Sequence, residues 1–379
     1  MVAAGTRPRH WIWQHPKWPM FSWDTAALSP GLSRVRRAQG ELSGVARLLD
    51  SKLDLSAQLE ILTLEGQMTS AIEGEILNPD ALRSSIARRL GLPTGGLQRP
   101  SRAVEGLVEL LLDATQRHDQ PLTLKRLCAW QGALFPTGRS GLLKIRVGAL
   151  RGKAPMRIVS GPIGRERVHY EAPPRTRLGG ELRTYLKWFN GPPAGLDTLL
   201  RAGLAHTWFE ILHPFEDGNG RVGRAVLDMS LAQDEHRSVR LYSMSARFMD
   251  QREAYYAALE RTSSGHLDIT PWLLWFLEQV EAAIRSSELL VTTVLRKARF
   301  WMRHAQSELN ERQLKALNRM LDAEPGGFEG GMTNRKYANL TKASSATAQR
   351  DLAALVDKGC LVPIGSGRST HYKLSLPEP

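Results

Sequence analysis

The chain has 379 residues, 42% of them hydrophobic, and carries a formal net charge of +13 with a pI near 10.0. This length allows two or three domains with sizeable cores, and the positive charge favours acidic partners such as nucleic acid or nucleotides. Its two cysteines, Cys128 and Cys360, lie far apart without nearby metal ligands, which argues against a disulfide framework and a zinc site and predicts a cytoplasmic location. The most apolar run, Trp272 to Leu277, is too short to cross a bilayer, so we expect neither membrane insertion nor export.

The N-terminal segment His10 to Asp24 contains four tryptophans, interspersed with prolines at spacings that fit neither a helix nor a strand. Such segments usually cover a groove in a hydrophobic core, because tryptophan buries a large apolar area. We therefore expect structural packing here, with stacking on a ligand as the alternative.

A long amphipathic helix is predicted for Leu28 to Leu64, where apolar residues recur at spacings of three and four. It runs into the segment Thr63 to Asn78, which contains the sequence TSAIEG at Thr69 to Gly74. Taken alone, a carboxylate such as Glu73 in this segment is most often a solvated helix residue.

The next elements are two scaffold helices, predicted for Arg99 to Asp113 and Thr123 to Phe135. Short alternating segments follow at 157–159 and 167–170, joined by the turn Ser160 to Gly164. This pattern predicts a β-hairpin within an otherwise helical chain.

The segment His213 to Arg224, HPFEDGNGRVGR, has the most unusual composition in the chain. The apolar run before it, Leu204 to Leu212, predicts a buried helix that Pro214 stops, so that His213 is presented at the helix exit rather than buried. Beyond it, helical spacing of apolar residues predicts a second helix over Arg221 to Gln233.

Between these helices stand Asp217, Gly218, Asn219 and Gly220, a combination that favours a tight turn with accessible backbone amides. Amides at the N-terminus of a helix bind anions, so we predict a polyphosphate site in this turn.

The side chains around the turn suit the same ligand. Arg221 and Arg224 are three residues apart on one face of the first helical turn, and guanidinium groups bind phosphate oxygens. Asp217 is a suitable ligand for Mg²⁺ bridging two phosphates, and His213 is the one group here that exchanges a proton near neutral pH. His206 lies seven residues before His213, and we reject a metal site with it because helix ligand pairs are normally three or four residues apart.

This segment resembles the signature of the Fic family: HPF, an acid, GNGR and a second arginine all match. The resemblance implies an all-α fold with a Fic helical core and a β-hairpin flap, and an enzyme that transfers AMP from ATP to a hydroxyl of a protein target. It assigns His213 as the proton acceptor. It places Asp217, Gly218, Asn219, Gly220, Arg221 and Arg224 around the nucleotide and Mg²⁺. The Trp-rich start resembles a short module that precedes the Fic core in one bacterial subgroup.

Three further expectations come from the resemblance. The TSAIEG sequence resembles the family's inhibitory motif, which implies that Glu73 pairs with Arg224 and takes the place of a terminal ATP phosphate. The hairpin corresponds to the flap that binds the target as an added strand, with Val168, His169 and Tyr170 nearest the nucleotide. For His169 a partly exposed strand position is favoured over a second catalytic base, because nothing nearby in sequence orients it.

The same resemblance places Tyr255 and Tyr256 where the family packs the adenine, with core packing of one tyrosine as the alternative. Many members carry an asparagine seven or eight residues later, whereas this chain has Ser263 and Ser264. This departure leaves the choice of ATP over other nucleotides open.

The C-terminal part follows a predicted helix over Thr270 to Leu290 and is interrupted by a polar spacer at Pro325 to Gly331. It contains three predicted helices and a terminal hairpin, an order that resembles a winged helix. The helices are Glu311 to Leu321, Thr333 to Leu340 and Ser344 to Lys358, and the hairpin strands are Cys360 to Ile364 and Thr370 to Leu374.

If this part reads DNA, the contacting residues are Ser344, Ser345, Thr347, Gln349 and Arg350 at the start of the third helix and Arg368 on the wing. Its charges are nearly balanced, which is weak support for binding DNA phosphates, so homodimerisation or a protein partner is an equal alternative.

The sequence thus predicts an N-terminal module with an inhibitory helix at 1–100, a Fic core at 101–290 and a winged-helix domain at 291–379. Two functions compete with AMP transfer: a transcriptional regulator that senses nucleotide, and hydrolytic removal of AMP from a modified protein.

Overall fold

The computed structural model of the chain describes residues 11–47, 51–92, 100–162, 165–237, 240–304, 306–321, 323 and 328–376. The chain forms two compact units, Met1–Leu48 with Asp54–Ser287, and Leu49–Leu53 with Glu288–Pro379. Helices dominate the described ranges, and the strands there form separate two-stranded hairpins. The fold is therefore mainly helical, as predicted.

The helices are, in chain order, α1 Thr25–Ala46, α2 Ser51–Ile72, α3 Pro79–Arg89, α4 Arg102–Gln116, α5 Leu124–Leu134, α6 Arg175–Asn190, α7 Thr198–Leu212, α8 Asn219–Glu235, α9 Met244–Asp250, α10 Arg252–Ser263, α11 Thr270–Arg303, α12 Glu311–Leu321, α13 Asn334–Thr341 and α14 Ser345–Asp357. The strands are β1 Arg139–Ser140, β2 Leu143–Lys144, β3 Arg157–Ser160, β4 Arg167–Glu171, β5 Leu361–Ile364 and β6 His371–Leu374.

Helices α1 and α2 occupy the stretch that was expected to hold one long helix, so that prediction was wrong. Helix α1 ends at Ala46, shortly after Gly40 and Gly44, and glycine disfavours the helical backbone. The apolar spacing did not reveal the break because both helices carry the same periodicity. Helix α11 was in turn predicted too short, since neither glycine nor proline interrupts the chain between Leu290 and Arg303.

Helices α7 and α8 position the signature segment between them. Helix α7 is buried along nearly its whole length, and its backbone is approached closely by neighbours: Trp272 Nε1 donates to Gly203 O at 2.9 Å, and a Cβ atom at Gly203 would lie 2.7 Å from the Phe276 ring. The signature therefore connects two core helices that cannot shift independently of the core.

The Trp-rich segment packs as expected. Trp11 and Trp13 are buried in a cluster with Tyr170, Ile211 and Leu267, and Trp13 Nε1 donates to Glu171 O at 2.8 Å. Because Tyr170 and Glu171 belong to β4, this segment supports the base of the flap hairpin.

The flap hairpin pairs β3 with β4 in antiparallel register, Ile158 opposite Tyr170, with a bulge between Ile158 and Val159. The predicted turn extends over 163–164, which lie outside the described residues. The smaller hairpin β1–β2 was not predicted from the sequence, since its strands are only two residues long.

The C-terminal unit has helices α12 to α14 followed by the hairpin β5–β6, close to the predicted positions. Its buried core includes Phe300, Leu317, Tyr337, Leu352 and Cys360. The element order is the one expected of a winged helix, and that assignment stays a prediction. The side chain of Arg368 and part of the spacer, 324–327, lie outside the described residues.

No helix in the described ranges is both long enough and apolar enough to cross a bilayer. Cys128 and Cys360 are both free thiols.

Candidate functional site

A cavity of about 790 Å³ opens beside the signature segment. Its walls come from the signature itself, from strands β3 and β4, from helix α10 and from Glu73 at the end of α2. A volume of this size is typical of a small-molecule site.

His213 caps the C-terminus of α7 in the left-handed conformation (φ 45°), which turns the chain out of the helix. Its Nδ1 lies 3.2 Å from Glu210 O, and Arg151 Nε donates to His213 O at 2.8 Å. Because a carbonyl only accepts, Nδ1 carries the proton and Nε2 retains its lone pair. The ring keeps 16% of its surface exposed, so the residue is presented to the cavity but is mostly buried, contrary to the simple expectation of exposure.

Burial, which removes water from the ring, lowers the pKa of His213 to about 4. The ring is therefore neutral at pH 7. A neutral imidazole with a free Nε2 lone pair can accept a proton from a hydroxyl.

The turn after Phe215 forms the predicted anion nest. Gly218 adopts φ +85°, a conformation that favours glycine, and α8 starts at Asn219. Asn219 is buried and bridges the turn, because its Oδ1 accepts from Phe215 N and its Nδ2 donates to Phe215 O, both at 2.9 Å. Asn219 thus shapes the turn, Gly218 supplies its left-handed backbone, and the missing side chain of Gly220 leaves room for a carboxylate.

Asp217 lines the cavity and has both oxygens engaged. Oδ1 accepts from Gly218 N at 2.5 Å and Oδ2 accepts from Ser140 Oγ. Among the described residues no group of three or more His, Cys, Asp or Glu side chains could hold a metal by itself. A single carboxylate beside a phosphate nest is nevertheless the arrangement that suits Mg²⁺, which takes its other ligands from water and phosphate.

Glu73 lies against the nest and pairs with Arg224. Arg224 Nη2 donates to Glu73 Oε1 at 2.8 Å and to Thr69 O at 2.8 Å, while Arg224 Nε donates to Thr69 Oγ1 at 2.7 Å. A Cβ atom at Gly220 would lie only 2.2 Å from Glu73 Oε1. Burial alone would raise the pKa of Glu73, but the charge and hydrogen bond of Arg224, with the charge of Arg221, hold it below its usual value, so the carboxylate is ionised.

Arg221 departs from the expectation of a shared phosphate site. Its Nη1 donates to Glu75 Oε2 at 2.8 Å, and its guanidinium stacks over the Phe135 ring at 5.1 Å. It lines a second cavity of about 310 Å³ and not the one that contains Arg224. The side chains of these two arginines therefore line different cavities, because each forms an ion pair with a different carboxylate.

The predicted flap residues divide into three positions. Tyr170 is buried and its hydroxyl donates to Ile211 O at 2.6 Å, whereas Val168 packs against the Trp-rich cluster and does not line the cavity. His169 does line it. The place of Val168 beside the nucleotide therefore stays a prediction; Ile158, Val159 and Ser160 of β3 line the cavity as well.

Tyr255 and Tyr256 also differ. Tyr255 is 1% exposed and stacks on Phe248 at 4.4 Å, while its hydroxyl donates to Nε2 of the buried His206 at 2.8 Å. Tyr256 is 42% exposed on the cavity wall, and its hydroxyl donates to Ile72 O at 3.3 Å. Tyr255 is therefore the tyrosine that packs in the core. The ring of Tyr256 is the one exposed to a ligand in the cavity.

His206 is a structural residue. Its Nδ1 donates to Gly223 O at 3.0 Å, and burial lowers its pKa to about 4. Of the two serines found where the family often has asparagine, Ser263 lines the cavity but is buried, and Ser264 does not line it.

Sequence reasoning missed Glu210, which lines the cavity three residues before His213. Its Oε2 lies 4.0 Å from His213 Nδ1, and its Oε1 has no hydrogen-bond partner in the described part of the chain. Burial raises the pKa of Glu210 to about 7, and the positive charge of Arg224 offsets this only in part. Its position on the buried run Leu204 to Leu212, where an acid is unexpected, was the available signal.

Fold and site together define a helical protein in which a neutral histidine faces an anion nest at a helix N-terminus. Residues 121–231 match the Fic/DOC family, and residues 11–92 match a domain of unknown function, DUF4172. The chain therefore contains a Fic/DOC domain at residues 121–231.

Two curated relatives are similar to part of it. A probable protein adenylyltransferase of Aquifex aeolicus is 32% identical over 96 residues, 25% of this chain and 27% of that protein. A protein adenylyltransferase of Caenorhabditis elegans is 29% identical over 106 residues, 28% of this chain and 19% of that protein. The chain thus spans well under half the length of either relative.

Solved structures support the fold. A Fic family protein from Desulfovibrio desulfuricans superimposes with a TM-score of 0.54 at 17% identity, covering 93% of this chain and 96% of its own. A Fic domain containing signaling protein from Bacteroides thetaiotaomicron gives 0.51 at 15% identity, covering 70% of this chain and 97% of its own.

Proposed function

We propose that the protein transfers AMP from ATP to a hydroxyl side chain of a protein target. The observation that carries this proposal is that a neutral imidazole, His213, lines the same cavity as the nest at Gly218 and Gly220. A triphosphate in the nest would bring its α-phosphorus near a group able to accept the proton of the attacking hydroxyl. The two curated relatives, both named protein adenylyltransferases, support the same activity.

In this mechanism His213 Nε2 accepts the hydroxyl proton as the oxygen attacks the α-phosphorus in line. The bond from the α-phosphorus to the bridging oxygen breaks, and pyrophosphate leaves. The backbone amides of the nest stabilise the charge on the phosphate oxygens, and Arg224 binds the terminal phosphate. Asp217 is the residue that would hold Mg²⁺, whose chemistry here is to neutralise phosphate charge.

Control by Glu73 is the second part of the proposal. Its carboxylate forms a 2.8 Å ion pair with Arg224 and lies against Gly220, the positions where a terminal phosphate would bind. Two like charges cannot share one guanidinium without strong repulsion, so ATP binds productively only after this carboxylate leaves. Thr69, one helical turn earlier, adds two further contacts to Arg224 and fixes the inhibitory end of α2.

Glu75 extends this control. It pairs with Arg221, the other arginine of the signature, at 2.8 Å, although about half of its side chain surface is exposed. The residues just after α2 therefore hold both signature arginines with separate carboxylates. We infer that ATP binding displaces both, and that the Glu73 contact is the stronger because Arg224 is the more deeply buried.

The target is proposed to bind along β3 as an added strand. β3 is exposed along its length, and the side chains of Ile158 and Val159 are 44% and 47% exposed. Backbone pairing gives affinity with little demand on the target's side chains. The adenine is proposed to pack on the exposed ring of Tyr256.

Removal of AMP from a modified protein is the second candidate. It is favoured by the position of Glu73, whose carboxylate lines the cavity together with His213 and keeps 31% of its side chain exposed. An ionised carboxylate there can orient water toward a phosphodiester. For the C-terminal unit, binding of DNA or of a second copy stays a prediction, tested by a promoter-fragment binding assay and by sedimentation.

The deciding experiment is intact-mass spectrometry of purified Glu73→Gly protein after incubation with ATP and Mg²⁺. We expect AMP on the protein itself or on a target from an added cell lysate, and we expect transfer to the lysate target to be absent from the matched Glu73→Gly, His213→Ala double variant. An unmodified Glu73→Gly protein, with a cell lysate supplied as target and still no labelled acceptor, would overturn AMP transfer. Release of AMP from a pre-modified protein in the absence of ATP would favour the second candidate.

A further inference from the structure

Three side chains on the cavity wall form a hydrogen-bonded series that the mechanism above does not use. Ser160 Oγ lies 2.6 Å from His169 Nε2, and His169 Nδ1 lies 3.2 Å from Glu260 Oε2. Ser160 is the last residue of β3, His169 belongs to β4 and Glu260 to α10. The series therefore connects the flap to the wall of the cavity.

The order of the three groups fixes their roles. A carboxylate only accepts, so His169 Nδ1 carries the proton shared with Glu260, and Nε2 is left to accept from the Ser160 hydroxyl. This is the arrangement of hydroxyl, imidazole and acid that activates serine nucleophiles, in which the acid stabilises the imidazolium as it forms. His213 differs, because its Nδ1 bonds a neutral backbone carbonyl.

The location of the series also points to the nucleotide. Ser160, His169 and Glu260 line the same cavity as His213, Asp217 and the nest. The other hydroxyl groups on this wall are less available: Thr207 and Ser263 are buried, and the hydroxyls of Tyr170 and Tyr256 donate to backbone carbonyls. Ser160, by contrast, is exposed on the strand proposed to receive the target.

We propose that Ser160 is a site of self-modification by AMP, with His169 as its proton acceptor and Glu260 as the residue that positions His169. This inference rests on the proposed AMP transfer. The bond from Ser160 Oγ to the α-phosphorus forms as the bond from the α-phosphorus to the bridging oxygen breaks; the hydroxyl proton goes to His169 Nε2, and pyrophosphate leaves. The product carries a negative phosphodiester on β3 and no longer has the proton that bonded His169.

The modification also has a consequence for the flap. AMP at the end of β3 would place a bulky anion beside the exposed edge that the target is proposed to pair with. Self-modification would therefore compete with modification of the target, and loss of Ser160 should remove that competition.

The test uses the full chain carrying Glu73→Gly, incubated with ATP and Mg²⁺ and digested for site mapping by mass spectrometry. We expect AMP on Ser160, its loss in Ser160→Ala, and a fall of about 10²-fold or more in the rate of Ser160 modification in His169→Gln, the lower end of the usual effect of a proton acceptor. Glu260→Gln should slow the same step less. Ser286→Ala, which removes an exposed serine of α11 that does not line the cavity, is the matched control and should leave Ser160 modification unchanged.

ATP affinity, measured by calorimetry on each variant, separates the proton-accepting role from a structural one. If His169→Gln lowers the modification rate only in proportion to weaker ATP binding, the assignment of His169 is overturned. AMP found solely on other residues would refute the inference while leaving the proposed AMP transfer intact. AMP on no residue of this chain or any target would overturn both.

Discussion

Arg221 Nη1 donates to Glu75 Oε2 at 2.8 Å, so the first arginine of the signature is held by a carboxylate just beyond helix α2. Arg221 is 7% exposed and Glu75 49% exposed, which makes this a half-solvated ion pair. Such pairs typically stabilise by about 1 kcal/mol or less. The contact therefore adds to the block that we propose at Arg224 but is too weak to replace it.

Glu75→Gln should raise ATP affinity modestly, by up to about fivefold, because the free energy of an exposed ion pair is on the order of 1 kcal/mol or less. Calorimetric titration with ATP and Mg²⁺ measures this directly. Glu253→Gln, which changes an exposed acid on the cavity that contains Arg224, controls for the loss of a negative charge near the phosphates. Equal gains in both variants would mean that general charge, and not the pairing with Arg221, is responsible.

Glu73→Gly should raise ATP affinity by about tenfold or more, since hydrogen bonds to charged groups contribute about 1.5–3 kcal/mol. The same change leaves the buried Arg224 without its counter-ion, so we expect a lower Tm without nucleotide and a larger rise in Tm with ATP than in the unchanged protein. Differential scanning fluorimetry with and without ATP tests the pair of effects. A variant that loses stability yet gains no response to ATP would contradict the inhibitory role.

His213→Ala in the Glu73→Gly background should lower the rate of AMP transfer to a target protein by about 10² to 10⁴, the usual effect of removing a proton acceptor, with Tm little changed. Because burial lowers the pKa of His213 to about 4, kcat/KM should stay level between about pH 5.5 and 7.5 and not fall around the ordinary histidine pKa near 6.5. His266→Ala, at an exposed position, is the control. An acid limb centred near pH 6.5 would show that the ring is not desolvated.

Glu210→Gln should change the pH dependence of stability. The pKa of Glu210 is raised to about 7 in the folded protein by burial, while the unfolded chain releases this proton near pH 4.5. The contribution of Glu210 is therefore fully present at low pH and is lost as pH rises toward 7, so the variant should be the more stable protein above pH 7, by on the order of 2 kcal/mol. Asp228 is buried with a pKa raised in the same direction, so only the difference between the variant and the unchanged protein isolates Glu210.

Urea unfolding at several pH values measures that difference. Glu109→Gln, at an exposed position of α4, should show none. If Glu210→Gln, like Glu109→Gln, leaves the pH dependence of the unfolding free energy unchanged from pH 5 to 8, then Glu210 is ionised in the folded protein and its carboxyl is solvated.

Asp351→Ala should destabilise the C-terminal unit by about 1–3 kcal/mol, because it removes the acceptor of four hydrogen bonds from three side chains and leaves a buried donor unpaired. Asp351 accepts from Arg312 Nε at 2.8 Å, Asn310 Nδ2 at 3.1 Å and the buried Tyr337 hydroxyl at 3.1 Å. Chemical unfolding followed by tryptophan fluorescence is the measurement. If Asp351→Ala lowers the free energy of unfolding by no more than Tyr337→Phe does, then only the hydrogen bond from the Tyr337 hydroxyl contributes to stability.

Much of the fold follows from local pattern. The helix ends that flank the signature, the flap strands and the three C-terminal helices were predicted within a few residues, because amphipathic periodicity and turn residues act over short stretches of chain. The nest was predictable for the same reason: Gly218, Asn219 and Gly220 are adjacent, and their backbone geometry depends on little beyond them.

The separation of Arg221 from Arg224, the unpaired carboxyl of Glu210 and the series from Ser160 through His169 to Glu260 were not predictable. Each depends on side chains that approach from elements 9 to 151 residues apart or on the loss of solvent around one group. The sequence by itself therefore determined the helical core, the nest and the histidine beside it, since these are set by neighbouring residues. Only the tertiary structure decided which charged group lies beside each of them. The ion-pair partner of a long side chain, and its loss of contact with water, depend on the elements that the fold packs around it.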